Sequence, residues 1–281
     1  MVFHRRQSDK RGANISATNQ TNKKHVFALY CQLHPHLIRV HTEHAEIYRS
    51  YPEAHVENAE SPLIFILDPQ SPFAREYNHV YESTNTSIPM ITFYRSDFLL
   101  SFDRMKSMLP DGVTYDNSIG YKQDWSYNLD ISKVSEWLAD PRHNIKTIII
   151  NTGTHYNSGQ FGGGIPLDAI QELYRSAIHY ISETLAEKLR DDQIVFFRAS
   201  TAGHSDKDGS CTTSSPVSEP VRVKYFHYNW HGQEVFNALW KDFLDRAHLQ
   251  RRYFNIRYLD VSRPSMMRPD AVTKPICELT F

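Results

Sequence analysis

Apolar residues along this chain come in short runs divided by polar stretches. Leu63–Leu67 is one run, closed by Asp68–Pro69, and Met90–Tyr94 is a second. Lys146–Asn151, Ile194–Phe197 and Asn255–Asp260 are the third, fourth and fifth. Each is strand-sized and rich in branched or aromatic residues, as expected of sheet strands covered on both faces. Between the third and fourth runs the period changes. Leu167, Ile170, Leu173, Tyr174, Ala177, Ile178, Ile181, Leu185 and Leu189 recur at three- and four-residue steps, one apolar stripe of a long helix with Pro166 in its first turn. A second long helix is predicted from Gly232 to about Leu249, through Val235, Phe236, Leu239, Trp240, Phe243 and Leu244. A shorter one is expected from His25 to about Leu33, and residues 199–222, rich in Ser, Thr, Gly and Pro, read as a long loop. Strand, long helix, strand, long helix, strand is the pattern of an α/β protein with a mainly parallel sheet.

Composition narrows the field. Of the 281 residues, 40% are hydrophobic and 22% charged, enough to build a core, which excludes wholesale disorder. A net charge of −1 and a pI near 6.9 argue against a general nucleic-acid binder. Residues 1–24 carry six basic side chains against Asp9 alone and are expected to be a flexible polar tail, with residues 25–281 forming one domain. No stretch approaches the ~18 apolar residues of a spanning helix, and no apolar segment follows the first residues as in a signal peptide. As written the chain shows neither export signal nor anchor, which leaves a cytoplasmic location open. Cys31, Cys211 and Cys277 form no CxxC, so neither a zinc ribbon nor a thioredoxin-type motif is on offer. Sequons at Asn14, Asn19 and Asn85 arise easily by chance and barely favour a secretory lumen.

In an α/β sheet, ligands sit outside the carboxyl ends of the strands. Asn151–Tyr156 follows the third run, Arg198–His204 the fourth, and Arg263, Arg268 and Asp270 the fifth. Such residues can donate hydrogen bonds to a developing oxyanion or to sugar hydroxyls. They can equally be turn formers and surface polar groups, and spacing alone does not separate the two. Other constellations are weaker. Ser200, His204 and Asp206 contain triad residue types but crowd one loop. His34, His36, His41 and His44 with Glu43 and Glu46 lack a metalloprotease spacing, so no metal is expected. Gly159–Gly164 lacks the spacing of a phosphate cradle and reads as a mobile loop. Trp125, Tyr156, Phe161, Tyr228 and Trp230 are able to stack on sugars, although core burial is the default for most of them.

NTGTHY at residues 151–156 resembles a block of the PC-esterase and trichome-birefringence-like family, and four further blocks lie in the family's order. They are FYRSDFLL (93–100, with Asp97 where proline is usual), FFRASTAGH (196–204, with Cys211 beyond), YNWHGQEVFNALW (228–240) and LDVSRPSMMRPDAV (259–272). The resemblance implies a three-layer α/β/α sandwich of the SGNH-hydrolase type and acyl transfer, typically of acetyl, between an acyl donor and polysaccharide hydroxyls through a serine acyl-enzyme. It also implies the secretory pathway or Golgi lumen and no cofactor.

Carried over residue by residue, the resemblance makes Asn151 an oxyanion-hole donor. It sets Gly153, His155, Arg95, Arg198, His204, Arg268 and Asp270 at motif positions for oxyanion or substrate binding, with a structural ion pair of Arg268 and Asp270 as the other reading of the last two. The catalytic residues do not carry over. Gln20 stands where the nucleophilic serine belongs and Asn19 where its aspartate neighbour belongs, while residues 275–281 contain neither the Asp nor the His of the Asp-x-x-His pair. The expectation is therefore a PC-esterase-like acyl transferase or esterase with no intact catalytic group. The abrupt stop after Cys277 favours a domain incomplete at its C-terminus; the alternative is a pseudoenzyme that binds a glycan or a protein partner.

Overall fold

The structure, a computed structural model, describes residues 2–3, 36–40, 63–68, 70–72, 89–93, 96–113, 130–141, 145–157, 161, 165–201, 218, 232–267, 272–273 and 278–279. Along the chain these form β1 (Val2–Phe3), β2 (Leu37–Val40), β3 (Leu63–Leu67), β4 (Pro89–Phe93), α1 (Phe102–Ser107), α2 (Ile131–Ala139) and β5 (Thr147–Ile150). Then follow α3 (Leu167–Lys188), β6 (Ile194–Arg198), α4 (Gln233–Leu249), β7 (Ile256–Leu259), α5 (Ser262–Met266), β8 (Val272–Thr273) and β9 (Glu278–Leu279). All five apolar runs are strands and both long amphipathic stretches are helices.

Among the described residues, seven strands make one sheet in the order β2-β3-β4-β1-β5-β6-β7, and β8 pairs with β9 apart from it. β5, β6 and β7 are parallel, with Ile148 opposite Val195 and Val195 opposite Ile256. The remaining neighbours, β2 with β3, β3 with β4, and β1 with both β4 and β5, are antiparallel. The molecule is thus mixed α/β, and the expected mainly parallel sheet holds only for its last three strands. The reason is that a short apolar run reads the same in either direction. β1 reverses between β4 and β5, so β4 and β5 end at the same edge, while β3 runs the other way and Leu67 ends opposite Asn151. The strands that end at Leu67, Phe93, Ile150 and Arg198 thus share one sheet, but Leu67 lies at the edge opposite Asn151. Val2–Phe3, from the segment read as a tail, is paired in the sheet; the rest of that segment and the helix expected over 25–33 lie outside the described residues.

Local chemistry explains the helix starts. Ser101 and Asp130 are N-caps whose side chains accept from the backbone N–H groups of Arg104 and Ser132. Pro166, expected in the first turn of α3, occupies its N-cap position instead, in an extended conformation. One apolar face of α3, from Ala169 to Leu185, is buried, while Leu167, assigned to the stripe, is 45% exposed because the helix starts there and turns it outward. α4 buries Phe236, Trp240 and Leu244, with Val235 exposed. Ile148 and Ile150 of β5, Val195 and Phe197 of β6 and Ile256 of β7 share one core with α2, α3 and α4. Trp240 stacks on Phe197 with ring centroids 3.8 Å apart. Burying each such side chain is worth roughly 1.5–3 kcal/mol. No helix among the described residues is long and apolar enough to cross a membrane.

Candidate functional site

At the end of β5 the chain turns sharply. Tyr156 N–H donates to the Gly153 carbonyl at 2.9 Å, and the Asn157 amide to the Thr154 carbonyl at 2.9 Å. Gly153 has φ +138°, a conformation side chains rarely adopt, and a Cβ there would stand 3.1 Å from both Ser200 Oγ and Tyr174 Oη. Only glycine lets the turn lie this close to β6 and α3.

Asn151, 1% exposed, spends both amide hydrogens on the neighbouring strand end: Nδ2 donates to Arg198 O at 2.7 Å and to Ser200 Oγ at 3.0 Å. The Ser200 hydroxyl passes its own hydrogen to Thr152 O at 3.1 Å. Tyr174 Oη donates to the same carbonyl at 2.9 Å and accepts from Trp240 Nε1 at 3.0 Å. From α4, Asn237 clasps the backbone of Ser200, Oδ1 accepting from its N–H at 2.8 Å and Nδ2 donating to its carbonyl at 2.9 Å. In a low-dielectric setting such a chain holds geometry tightly, because an unpaired member would be costly. Placed this way, Asn151 joins strands; its donors are not directed at a ligand.

A second group lies beside it. Thr152 Oγ1 donates to Asp97 O at 3.1 Å and Tyr156 Oη to Phe98 O at 3.0 Å, which ties the segment after β4 to the turn. His155 Nε2 stands 3.5 Å from Asp97 Oδ1, with side chains 13% and 2% exposed, and the His155 ring meets Phe98 edge-on. Leu99, fully buried, has φ +60°, a strained backbone for a residue with a Cβ, costing about 1–3 kcal/mol. Ser96 Oγ accepts from its N–H at 3.0 Å and Ile131 N–H donates to its carbonyl at 2.9 Å. Asp97 is therefore held against His155 by a strained and anchored segment.

The electrostatics are those of a dry interior. Burial pushes the Tyr156 and Tyr174 hydroxyls well above their ordinary range, so both stay protonated donors. Burial also lowers Arg198 to about 10, which leaves it charged at neutral pH. Gln233, the first residue of α4 and 1% exposed, has no partner for either amide atom among the described residues, and its Oε1 faces Gly153.

Of the residues singled out from the sequence, Asn151 bonds the Arg198 carbonyl, Gly153 lies against Ser200, and His155 sits against Asp97. Gln20, Arg95, His204, Arg268 and Asp270 lie outside the described residues. Ser200 is 2% exposed with its hydroxyl committed, and its proposed partners His204 and Asp206 are also outside. Tyr156 and Phe161 are core residues, 0% and 4% exposed. His36 pairs with Ser71 at 3.0 Å, and the other three histidines of its group are outside the described residues. Among the described residues no three His, Cys, Asp or Glu side chains gather as a metal would require. Asp-x-x-His spacing does occur at Asp245 and His248, but it caps the far edge: His248 Nε2 faces the Ile256 and Tyr253 carbonyls at 2.9 and 3.2 Å, where β7 begins. Gln233 and Asn237 were missed. Their signal is a polar pair four residues apart on the same stripe as Phe236 and Trp240, where a solvated pair has no place.

Described residues of all five segments meet at this carboxyl edge. Asp97 and Phe98 bond the 151–156 turn, which bonds Ser200; Ser200 bonds Asn237, and Ala199 N–H donates to the Leu259 carbonyl at 2.9 Å. No protein-family model matches the chain, and none of the curated proteins matches it.

Proposed function

We propose that this chain is a PC-esterase-like domain of three-layer SGNH type, belonging to acyl transfer onto polysaccharide hydroxyls. Its carboxyl edge holds the polysaccharide while the chain forms no acyl-enzyme of its own. The observation that carries the reading is the convergence of described residues from the five segments on one edge through named hydrogen bonds. An acyl donor, a polysaccharide acceptor and a Golgi or secretory setting follow from the same resemblance.

A binding role is favoured over turnover by the state of the polar groups. A carboxamide such as Gln20 is not a nucleophile that a base can activate. The described serines nearest the edge are occupied: Ser96 is fully buried and accepts from Leu99 N–H, and Ser200 donates to Thr152 O. Both Asn151 donors are spent, so an oxyanion would find no free hydrogen there. The test pairs hydrolysis of an activated acetyl ester with labelling by a fluorophosphonate. Neither turnover nor a labelled serine is expected, and replacing Asn151 by Ala leaves the background hydrolysis unchanged. Burst kinetics with stoichiometric labelling would overturn the claim and point to Ser96 or Ser200.

A further inference from the structure

Gln233 lies within the carboxyl-edge network, and among the described residues that network makes no use of its amide. Its amide is buried, yet neither Nε2 nor Oε1 has a partner among the described residues. A buried amide left bare costs about 1–3 kcal/mol per group, so a native structure supplies it with something. The nearest hydroxyls have no hydrogen left for Oε1. Ser200 Oγ and Tyr174 Oη, the two hydroxyls that with Gln233 Oε1 surround Gly153, both give their hydrogens to the Thr152 carbonyl. Asn237, one turn further along α4, is fully engaged with the Ser200 backbone. Gln233 also opens a helix of 17 residues whose N-cap, Gly232, makes no side-chain bond. The first-turn N–H groups and the positive end of the helix dipole thus lie at the same place.

These features select one kind of ligand. A carboxylate would satisfy Nε2 but face Oε1 with like charge, and an ammonium would satisfy Oε1 but meet the positive helix end. A hydroxyl oxygen accepts from Nε2 and donates to Oε1, and its partial negative charge suits the helix end. We infer that Gln233, with the N-terminus of α4 and the bare Cα of Gly153, forms a niche for one neutral hydroxyl, supplied by a water molecule or by a sugar. The sugar source rests on the polysaccharide reading above; the niche itself does not.

The experiment uses the whole chain, its Gln233→Leu variant, and xylohexaose as the neutral probe. A high-resolution crystal structure without sugar is expected to show one oxygen within hydrogen-bond distance of both Nε2 and Oε1, lost in Q233L. An empty niche, or an amide bonded to protein atoms, overturns the proposal. Titration calorimetry then separates the sources. If the sugar supplies the hydroxyl, Q233L weakens xylohexaose about tenfold, as the loss of a bonded pair of this kind predicts. Unchanged affinity with the oxygen present assigns the niche to water. If the parent chain binds no xylohexaose while the oxygen is present, the polysaccharide reading fails and the niche stands. Should Q233L not fold, Gln233→Met, which keeps the side-chain length and removes both donor and acceptor, is expected to lose the oxygen as well.

Discussion

Two buried glutamines sit at opposite edges of the same parallel strands, and they are treated in opposite ways. Gln193, just before β6, spends everything: Nε2 donates to the Leu138 and Ile145 carbonyls at 2.7 and 2.9 Å, and Oε1 accepts from Arg190 N–H at 3.0 Å. Arg190 adds bonds to the Ala139 and Ile145 carbonyls at 2.7 and 3.0 Å, and Asp192 accepts from both Arg190 and Lys146. This amino edge seals the end of α2 and the entry to β5, leaving no capacity for anything else. At the carboxyl edge, Gln233 spends nothing. Its neighbours form an equally tight network, but one built around a glycine turn, a strained Leu99 and a His155–Asp97 contact. Saturated bonding at one edge and an unused amide at the other are what set the two edges apart.

The comparison is broken most severely at Gly153. Replacement by Ala adds a Cβ into 3.1 Å contacts at φ +138°, and is expected to destabilise the chain by about 3 kcal/mol. Gly112, at φ +81° with nothing within 4 Å of a Cβ, is the control and should cost only about 1 kcal/mol as Ala. Chemical denaturation of both variants checks the difference; equal losses would remove the case for close approach at the carboxyl edge. Next in size is Gln193→Leu, which strips one donor each from the Leu138 and Ile145 carbonyls and is expected to cost about 2 kcal/mol.

Why one glutamine is legible and the other is not lies in what sequence carries. Strands at Leu63–Leu67, Thr147–Ile150 and Ile194–Arg198 were visible because each apolar run is bounded by polar residues. α3 and α4 were visible because their stripes persist over several turns. Strand direction was not, since the pleat of Leu63–Leu67 looks alike in a parallel or an antiparallel ladder. α2 was missed because it is short, although Asp130 before Ile131, Val134, Trp137 and Leu138 is a capped amphipathic turn in hindsight. At the site, the Asn-Thr-Gly turn announced itself by its position after a strand. Nothing in the sequence says that the Asn151 donors point sideways into β6, because that depends on where Arg198 and Ser200 end up.

A smaller effect concerns Asp130, the hub joining the starts of α1 and α2 to α3. Burial works to raise its carboxyl, but bonds from Ser101 N–H, from the N–H and hydroxyl of Ser132 and from Tyr180 Oη outweigh it and hold the group below its ordinary value of 3.8. A folded-state value below the unfolded one means protonation favours unfolding. The contribution is fully present above the unfolded value and is lost as pH falls through the folded one. Asp130→Asn should therefore flatten the stability profile below about pH 4, read by thermal melts across that range. A profile unchanged by the substitution would remove Asp130 as the cause. Smallest of all is Gln233→Leu. Because the amide bonds no protein group, stability should move by less than about 1 kcal/mol, against the larger loss at Gln193. Similar losses at both glutamines would erase the contrast between the edges.

The central claim, that the carboxyl edge receives a polysaccharide and the amino edge does not, is tested most directly by titrating xylohexaose into the ¹⁵N-labelled chain and following backbone amide shifts. The account predicts shifts at Asn151–Tyr156, Ser200 and Gln233–Asn237, with Arg190–Gln193 unmoved. Shifts centred on Arg190–Gln193, or no shift anywhere at saturating sugar, would contradict it.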